Sequence, residues 1–266
     1  KIEGNGFDES LRELDISQMQ ILNTQFSQVI AREKNYVSYF GRATYNLMNK
    51  YILNGVFRAS GASQLAPGNK WGYFPGISAA WIVSNEDFMK NYSSVNELKI
   101  RGGWGQTGNV SGLFEYATFA LLPLYSFSFT PSTYANPDLT WETTTDASLG
   151  IDLGILDNRA KVTVDVFKRR TEKLINTAVI SSADYNYNAG TLENKGIELS
   201  LNTINFKGEN FNWTTNFNIS FIKNKVVEMG RFNKVNYYGI QSANRVEINQ
   251  PLGNFFGYVF EGVNPA

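Results

Sequence analysis

Three kinds of residue in this 266-residue sequence could carry chemistry. The run Gly103-Trp-Gly105-Gln-Thr-Gly108 follows an alternating segment and matches the spacing of a dinucleotide fingerprint. That fingerprint needs a helix next, whose N-terminus meets the pyrophosphate, and an acid about 20 residues further on. Asn109-Val-Ser-Gly-Leu-Phe follows instead and has no amphipathic pattern, so these glycines are read as easing a strand out at a rim. Asp146, Asp152, Asp165 and Glu198 could supply a glycosidase acid pair. Each falls on the polar side of an alternating segment, which favours a solvated wall. Tyr125 with Phe127, Tyr185 with Tyr187, and Tyr237 with Tyr238 lie in long connections. Their rigid faces suit contact with a ligand or partner, or packing of the loops against one another.

Composition narrows the chemistry further. Cys and His are both absent, which removes disulfides, Cys or His metal sites, a Cys nucleophile and any triad built on His. No catalytic residue, cofactor or metal is expected. Lys plus Arg and Asp plus Glu balance at 24 each, which argues against a nucleic-acid partner. The sequons at Asn91, Asn109, Asn212 and Asn218 are read as chance. No stretch approaches the roughly 18 apolar residues of a transmembrane helix, and no signal peptide opens the chain. Lys1 is not a natural start, and both ends read as cuts.

The elements that position these residues alternate with period two. Phe211, Trp213, Thr215, Phe217, Ile219 and Phe221 share one side of a segment, against Asn212, Thr214, Asn216, Asn218 and Ser220. Leu149, Ile151 and Leu153 likewise oppose Asp146, Ser148 and Asp152. Val162, Val164 and Val166 oppose Thr163 and Asp165, and Ile197, Leu199 and Leu201 oppose Glu198, Ser200 and Asn202. Leu98, Ile100 and Trp104 oppose Lys99 and Arg101, while 37–47, 51–60 and 71–84 alternate more loosely. Connections 49–50, 154–159 and 207–210 are short, whereas 61–70, 108–140, 173–195 and 224–255 are longer. Ser84 and Asp87 suggest a capping box for one helical turn in 85–96.

Segments of about 9 to 13 residues suit tilted membrane strands better than globular ones. Aromatics at their ends (Tyr51, Trp141, Phe211, Trp213) suit an interfacial girdle. The expected fold is an all-β antiparallel up-and-down transmembrane barrel, with short turns on the periplasmic side and long loops outside. The rival readings are a soluble all-β glycan-binding or adhesin domain and, third, a β-propeller hydrolase.

Seven word-like stretches then carry a resemblance. They are Tyr39-Phe-Gly-Arg-Ala-Thr-Tyr45, Lys70-Trp-Gly-Tyr-Phe-Pro-Gly-Ile-Ser-Ala-Ala-Trp81, Glu86-Asp-Phe-Met-Lys90, Leu98-Lys-Ile-Arg101 running into Gly105-Gln-Thr-Gly-Asn109, Asn136-Pro-Asp-Leu-Thr-Trp-Glu-Thr-Thr144, Glu193-Asn-Lys-Gly-Ile-Glu-Leu199 and Pro251-Leu-Gly-Asn-Phe-Phe-Gly-Tyr258. In this order they resemble the SusC/RagA family of TonB-dependent transporters of Bacteroidetes. The resemblance implies a multi-pass protein of the bacterial outer membrane, of which this chain supplies about eight or nine strands of a 22-stranded barrel. Residues 1–35 are then read as extracellular loop, and 36–266 as the middle-to-late barrel without plug, TonB-contacting segment or final strands. It also implies a SusD-like surface lipoprotein, the TonB complex and membrane lipids as partners. The cargo is oligosaccharide or peptide, met together with the lipoprotein lid by Tyr125, Phe127, Tyr185, Tyr187, Tyr237 and Tyr238. The purified full-length protein should remain monodisperse in detergent and aggregate once it is removed. Monodispersity without detergent, read by light scattering, would defeat the membrane reading.

Overall fold

The computed structural model describes residues 2–3, 30–31, 34–113, 133–181, 183–230, 244–255, 257 and 262. Eight long strands form one antiparallel sheet: β1 (Tyr36–Leu47), β2 (Tyr51–Ala62), β3 (Trp71–Ile82), β4 (Val95–Asn109), β5 (Glu142–Ile155), β6 (Ala160–Glu172), β7 (Thr191–Lys207) and β8 (Asn212–Glu228). Each pairs with its sequence neighbours and no connection crosses over within the sheet. That order excludes a Greek key between residues 36 and 228 and bears out the up-and-down reading.

Register turns the alternation into two faces. Leu199 sits opposite Val164 on one side and Ile219 on the other. Ile151 opposes Val164 and Ile100, Trp81 opposes Ile100 and Tyr51, and Tyr51 opposes Leu47. One apolar face therefore runs unbroken across all eight strands, because every pair keeps the same parity. Val162, Leu201 and Phe217 lie on it, with Thr163, Ser200 and Asn218 on the other face. Ile77 (54% exposed), Leu149 (52%), Ile197 (51%) and Phe221 (66%) stand out from it. An exposed apolar area of this extent needs a non-aqueous neighbour.

Aromatic pairs bound this face above and below. Near the short turns Tyr51 stacks on Trp81 at 6.4 Å and Phe206 leans on Phe211 at 5.8 Å. Near the long loops Tyr39 stacks on Trp71 at 6.0 Å and Phe57 on Tyr73 at 6.2 Å. Trp71 and Trp81, at the two ends of β3, are separated by roughly 33 Å of strand, about 25 Å of height at a tilt near 40°. Trp141 does not join this girdle. It is 9% exposed, and its indole N–H donates to the Lys70 carbonyl at 3.1 Å, inside the rim.

The opposite face is polar and tied together laterally. Ser200 Oγ donates to Asn218 Oδ1 at 2.7 Å and Thr163 Oγ1 to Asp152 Oδ1 at 3.1 Å. Phe40, Val56 and Ile222 toward the sheet's margins and Phe167 within it interrupt this face.

The strands run 12 to 17 residues, longer than the alternation alone suggests. β7 begins at Thr191 rather than near Gly196, because charged residues continue the ladder beyond the apolar band. Lys168 Nζ, for example, reaches Glu193 Oε2 at 3.1 Å. The turns also differ in kind. Met48 and Asn49 both have positive φ (55° and 54°), and the Lys50 N–H closes the turn on Leu47 O at 3.0 Å. Leu156, Asp157 and Asn158 do the same (56°, 55°, 59°). Such turns match the twist of a hairpin, and Asn and Asp tolerate the conformation.

The β3–β4 connection holds two short 3-10 turns, Val83–Asn85 and Asp87–Met89, with no side-chain cap. The expected Ser84–Asp87 capping box is therefore absent, because Ser84 lies inside the first turn. Glu86 organises the connection instead. Its carboxylate accepts from Lys50 Nζ at 2.9 Å, Tyr51 Oη at 2.7 Å and Trp81 Nε1 at 3.0 Å. These bonds, led by Lys50, hold Glu86 down at about 2. A depressed carboxyl stabilises the fold above its ordinary titration range and loses that contribution as pH falls toward 2, so this clamp is intact at neutral pH.

The two faces should respond differently to charge. In the intact barrel, Ile219→Arg is expected to cost about 2–4 kcal/mol near mid-bilayer. Asn218→Ala removes one neutral hydrogen bond and should cost about 1 kcal/mol. Equal losses in denaturant unfolding from lipid vesicles would contradict the facing.

Candidate functional site: the long-loop rim and the inner wall

Above β2–β6 the longer connections pack into a small core of their own. Ala62, Leu65, Phe74, Val110, Leu113, Leu139 and Trp141 are buried together, with Ile175 against them. Phe74 and Trp141 meet edge to face at 5.5 Å. A hairpin, Ile175–Ile180 with Ala183–Asn188, rises here and takes Thr133–Tyr134 as a third, parallel strand.

Side-chain amides lace this rim. Asn136 Nδ2 donates to Asn186 O at 2.7 Å, and Asn136 Oδ1 accepts from the Asp138 N–H at 3.0 Å. Asn188 Oδ1 accepts from the Thr140 N–H at 2.8 Å, while its Nδ2 donates to the carbonyls of Thr140 and Lys173, each at 2.9 Å. Glu142 accepts from the Ile175 N–H at 2.8 Å and from Asn109 Nδ2 at 2.7 Å. An asparagine side chain mimics a peptide group, so it can satisfy irregular backbone that no ladder reaches.

Of the six loop aromatics, Tyr185 and Tyr187 fall within the described residues. Their rings stack at 6.0 Å with an 11° interplanar angle. Tyr187 is only 7% exposed and packs into the rim, where a Cβ on Gly230 would come within 2.9 Å of its ring. Tyr185 is half-buried and forms the more accessible half of the pair. Tyr125, Phe127, Tyr237 and Tyr238 lie outside the described residues.

The four carboxylates share the inner face, and three of them are held by cations. Arg101 bridges Asp152, at 3.1 Å, and Asp165, at 2.8 Å. Lys99 reaches Asp152 at 3.5 Å, and Arg169 holds Asp146 at 2.8 Å. Glu198 stands next to Asp165 across the β6–β7 pair. Salt bridges occupy Asp146, Asp152 and Asp165, whereas a glycosidase needs two carboxyl groups free to flank the scissile bond. The arrangement serves as a polar wall with both signs of charge.

The glycine run also reads differently in three dimensions. β4 continues through Asn109, so Gly103, Gly105 and Gly108 lie within a strand and do not mark its exit. Gly108 makes room for the Phe74 ring, since a Cβ there would lie 2.0 Å from it. Gly76, Gly103 and Gly105 floor an inner-face trough of ≈ 740 Å³ beneath the rim.

With this geometry in hand, similarity to known proteins is specific. Residues 4–259 match the family described as TonB dependent receptor-like, beta-barrel. The chain belongs to that family. TonB-dependent receptor P26 of Formosa agariphila is 34% identical over 204 residues, covering 73% of this chain and 21% of that protein. TonB-dependent receptor SusC of Bacteroides thetaiotaomicron is 30% identical over 253 residues, covering 89% of this chain and 25% of SusC. The chain thus spans a fifth to a quarter of the length of these relatives. A solved structure of the RagAB peptide importer superposes with a TM-score of 0.78 at 21% identity, over 91% of this chain and 28% of that one, and shows the shared fold. The SusC/RagA resemblance is therefore correct, and the barrel is of an outer-membrane family.

The rim amides and the Glu86 clamp were not recognised from sequence as functional or structural sites. Their available signal was the pair of word-like stretches 136–144 and 86–90. The two kinds of glycine can be tested against each other. Gly108→Val should drive a side chain into Phe74 and cost about 1–3 kcal/mol, seen as faster proteolysis of the rim loops in the full-length protein. Gly105→Ala should leave loop proteolysis unchanged.

Proposed function

We propose that this chain is the multi-pass wall of an active importer in the outer membrane. It takes up oligosaccharides or peptides together with a SusD-like surface lipoprotein seated on the long-loop rim. Energy comes from the TonB complex through parts of the protein outside this chain. Residues 36–266 are read as middle-to-late barrel and 1–35 as extracellular loop. The observation that carries this reading is the continuous apolar face between two aromatic belts, backed by a polar face with cross-linked side chains. Lipid on one side and an aqueous passage on the other account for both. The homologues are receptors and transporters, and the paired carboxylates favour a wall over a catalytic site, so no enzymatic step is proposed. The SusC and RagAB similarities support a lipoprotein partner and a glycan or peptide cargo.

Among the proposed lid or cargo contacts, Tyr185 is favoured because it is the accessible ring of the stacked pair. Tyr125, Phe127, Tyr237 and Tyr238 are retained on their places in the long connections.

Tyr185→Ala in the full-length protein should lower cargo uptake or lid capture while the barrel still reaches the outer membrane. Protease added to intact cells lacking the lid should cut within 110–141 or 173–190 and spare 156–159 and 208–211. Cleavage confined to the short turns would reverse the orientation.

A further inference from the structure

Five glycines of the long strands, Gly72, Gly108, Gly150, Gly154 and Gly196, have a packing reason. A Cβ at Gly108 would strike Phe74 at 2.0 Å, one at Gly150 would meet Asp165 Oδ1 at 2.4 Å, and one at Gly196 would meet Phe221 O at 2.6 Å. Gly76, Gly103 and Gly105 have none. A Cβ would meet its nearest neighbour at 3.7, 3.4 and 3.4 Å respectively, which is ordinary contact, and none has positive φ. Glycine in a strand weakens it, so three that the fold does not require need another explanation. They are also contiguous, since Gly76 pairs with Gly105, and Ser78 with Gly103. The outer face has uncrowded glycines too, Gly41, Gly55, Gly61 and Gly102, but no two of them pair with each other and none lines the trough.

The glycine patch floors the ≈ 740 Å³ trough, which crosses five strands, β2 to β6, just below the rim. Five strands span about 19 Å, the length of roughly six residues of extended chain. Its walls present Asn54, Ser78, Thr107, Thr144 and Ser148, with Arg58 at one end and the Asp146–Arg169 pair at the other. These groups donate and accept at intervals, as a peptide backbone requires. Sugar rings usually stack on an open aromatic face. Of the inner-face rings beside the trough, Phe74 and Trp141 are only 6% and 9% exposed and are used against each other, and Phe167, opposite Ser148, is half-buried.

We infer that Gly76, Gly103 and Gly105 form a contact site where an extended peptide cargo lies flat against the inner wall. The inference rests on the importer reading above. The missing Cβ atoms let the peptide's backbone approach the wall, and the flanking amides and hydroxyls take its N–H and C=O groups.

The test uses the full-length protein with its lid in intact cells, otherwise free of cysteine, carrying Ser78→Cys or, as an independent second position, Ser148→Cys. A tryptic digest of serum albumin and a maltooligosaccharide mixture serve as probes, and uptake of each is measured first. A membrane-impermeant maleimide should label both positions. Peptide at about ten times its Kd should slow labelling about tenfold, and the oligosaccharides should not. Gly105→Val, which fills the floor but suits a strand, should abolish this protection with surface expression unchanged. Peptide uptake without protection at either cysteine, or no labelling of either in the native protein, would overturn the site while the importer stands. Uptake of and protection by oligosaccharides alone would overturn the peptide assignment. Uptake of neither probe, with no protection, would count against the importer reading and the site together.

Discussion

The constraint on which the structure depends is that a backbone facing lipid must leave no N–H or C=O unpaired. An up-and-down sheet meets it locally, since each strand pairs with its neighbours in the sequence. The period of two then does the rest. Side chains on one face become the contact with lipid and those on the other the lining of a passage. A slip of one residue between β7 and β8 would move Leu199 against Asn218 and exchange the faces from there on. The side-chain bonds on the inner face, such as Ser200 to Asn218, resist such a slip because they form in one register only.

The two ends of the strands answer different demands. At the short-turn end the chain only has to reverse, and left-handed residues at 48–49 and 156–158 do so in a few positions. Glu86 joins the β3–β4 connection to the 48–49 turn by taking donors from Lys50, Tyr51 and Trp81, which also fixes the polar tips of two girdle rings. At the long-loop end the connections must stand above the membrane with few ladder partners. They carry a core around Leu139 and Trp141, and asparagines in place of missing strands. A rim built this way is a shaped surface held by its own core and side-chain bonds.

Glycine serves three purposes in this wall. At Gly190 it permits a positive φ of 94° where the hairpin returns to β7. At Gly108 it yields space to a ring that belongs to the rim. At Gly76, Gly103 and Gly105 it leaves the inner face bare beneath the rim. Residue type alone does not separate these roles, and the neighbouring atoms do.

The sequence by itself determined the class of fold, the number of strands to within one, and which residues of each strand share a face, because period-two alternation is local. It also showed the family, through stretches such as 70–81 and 136–144. It misplaced Trp141 in the girdle, put a capping box at Ser84 and sent Gly103–Gly108 out of the sheet. The errors share a physical cause, partners distant in sequence: Trp141 donates to Lys70, Glu86 rather than a cap holds the connection at Ser84 through Lys50, and Gly103 to Gly108 pair with β5. Only the tertiary structure could decide that Tyr187 is buried and Tyr185 accessible, that Arg101 ties Asp152 to Asp165, and that Gly76 and Gly105 meet. Such facts depend on how strands and loops far apart in the chain are brought together, and periodicity carries no information about that.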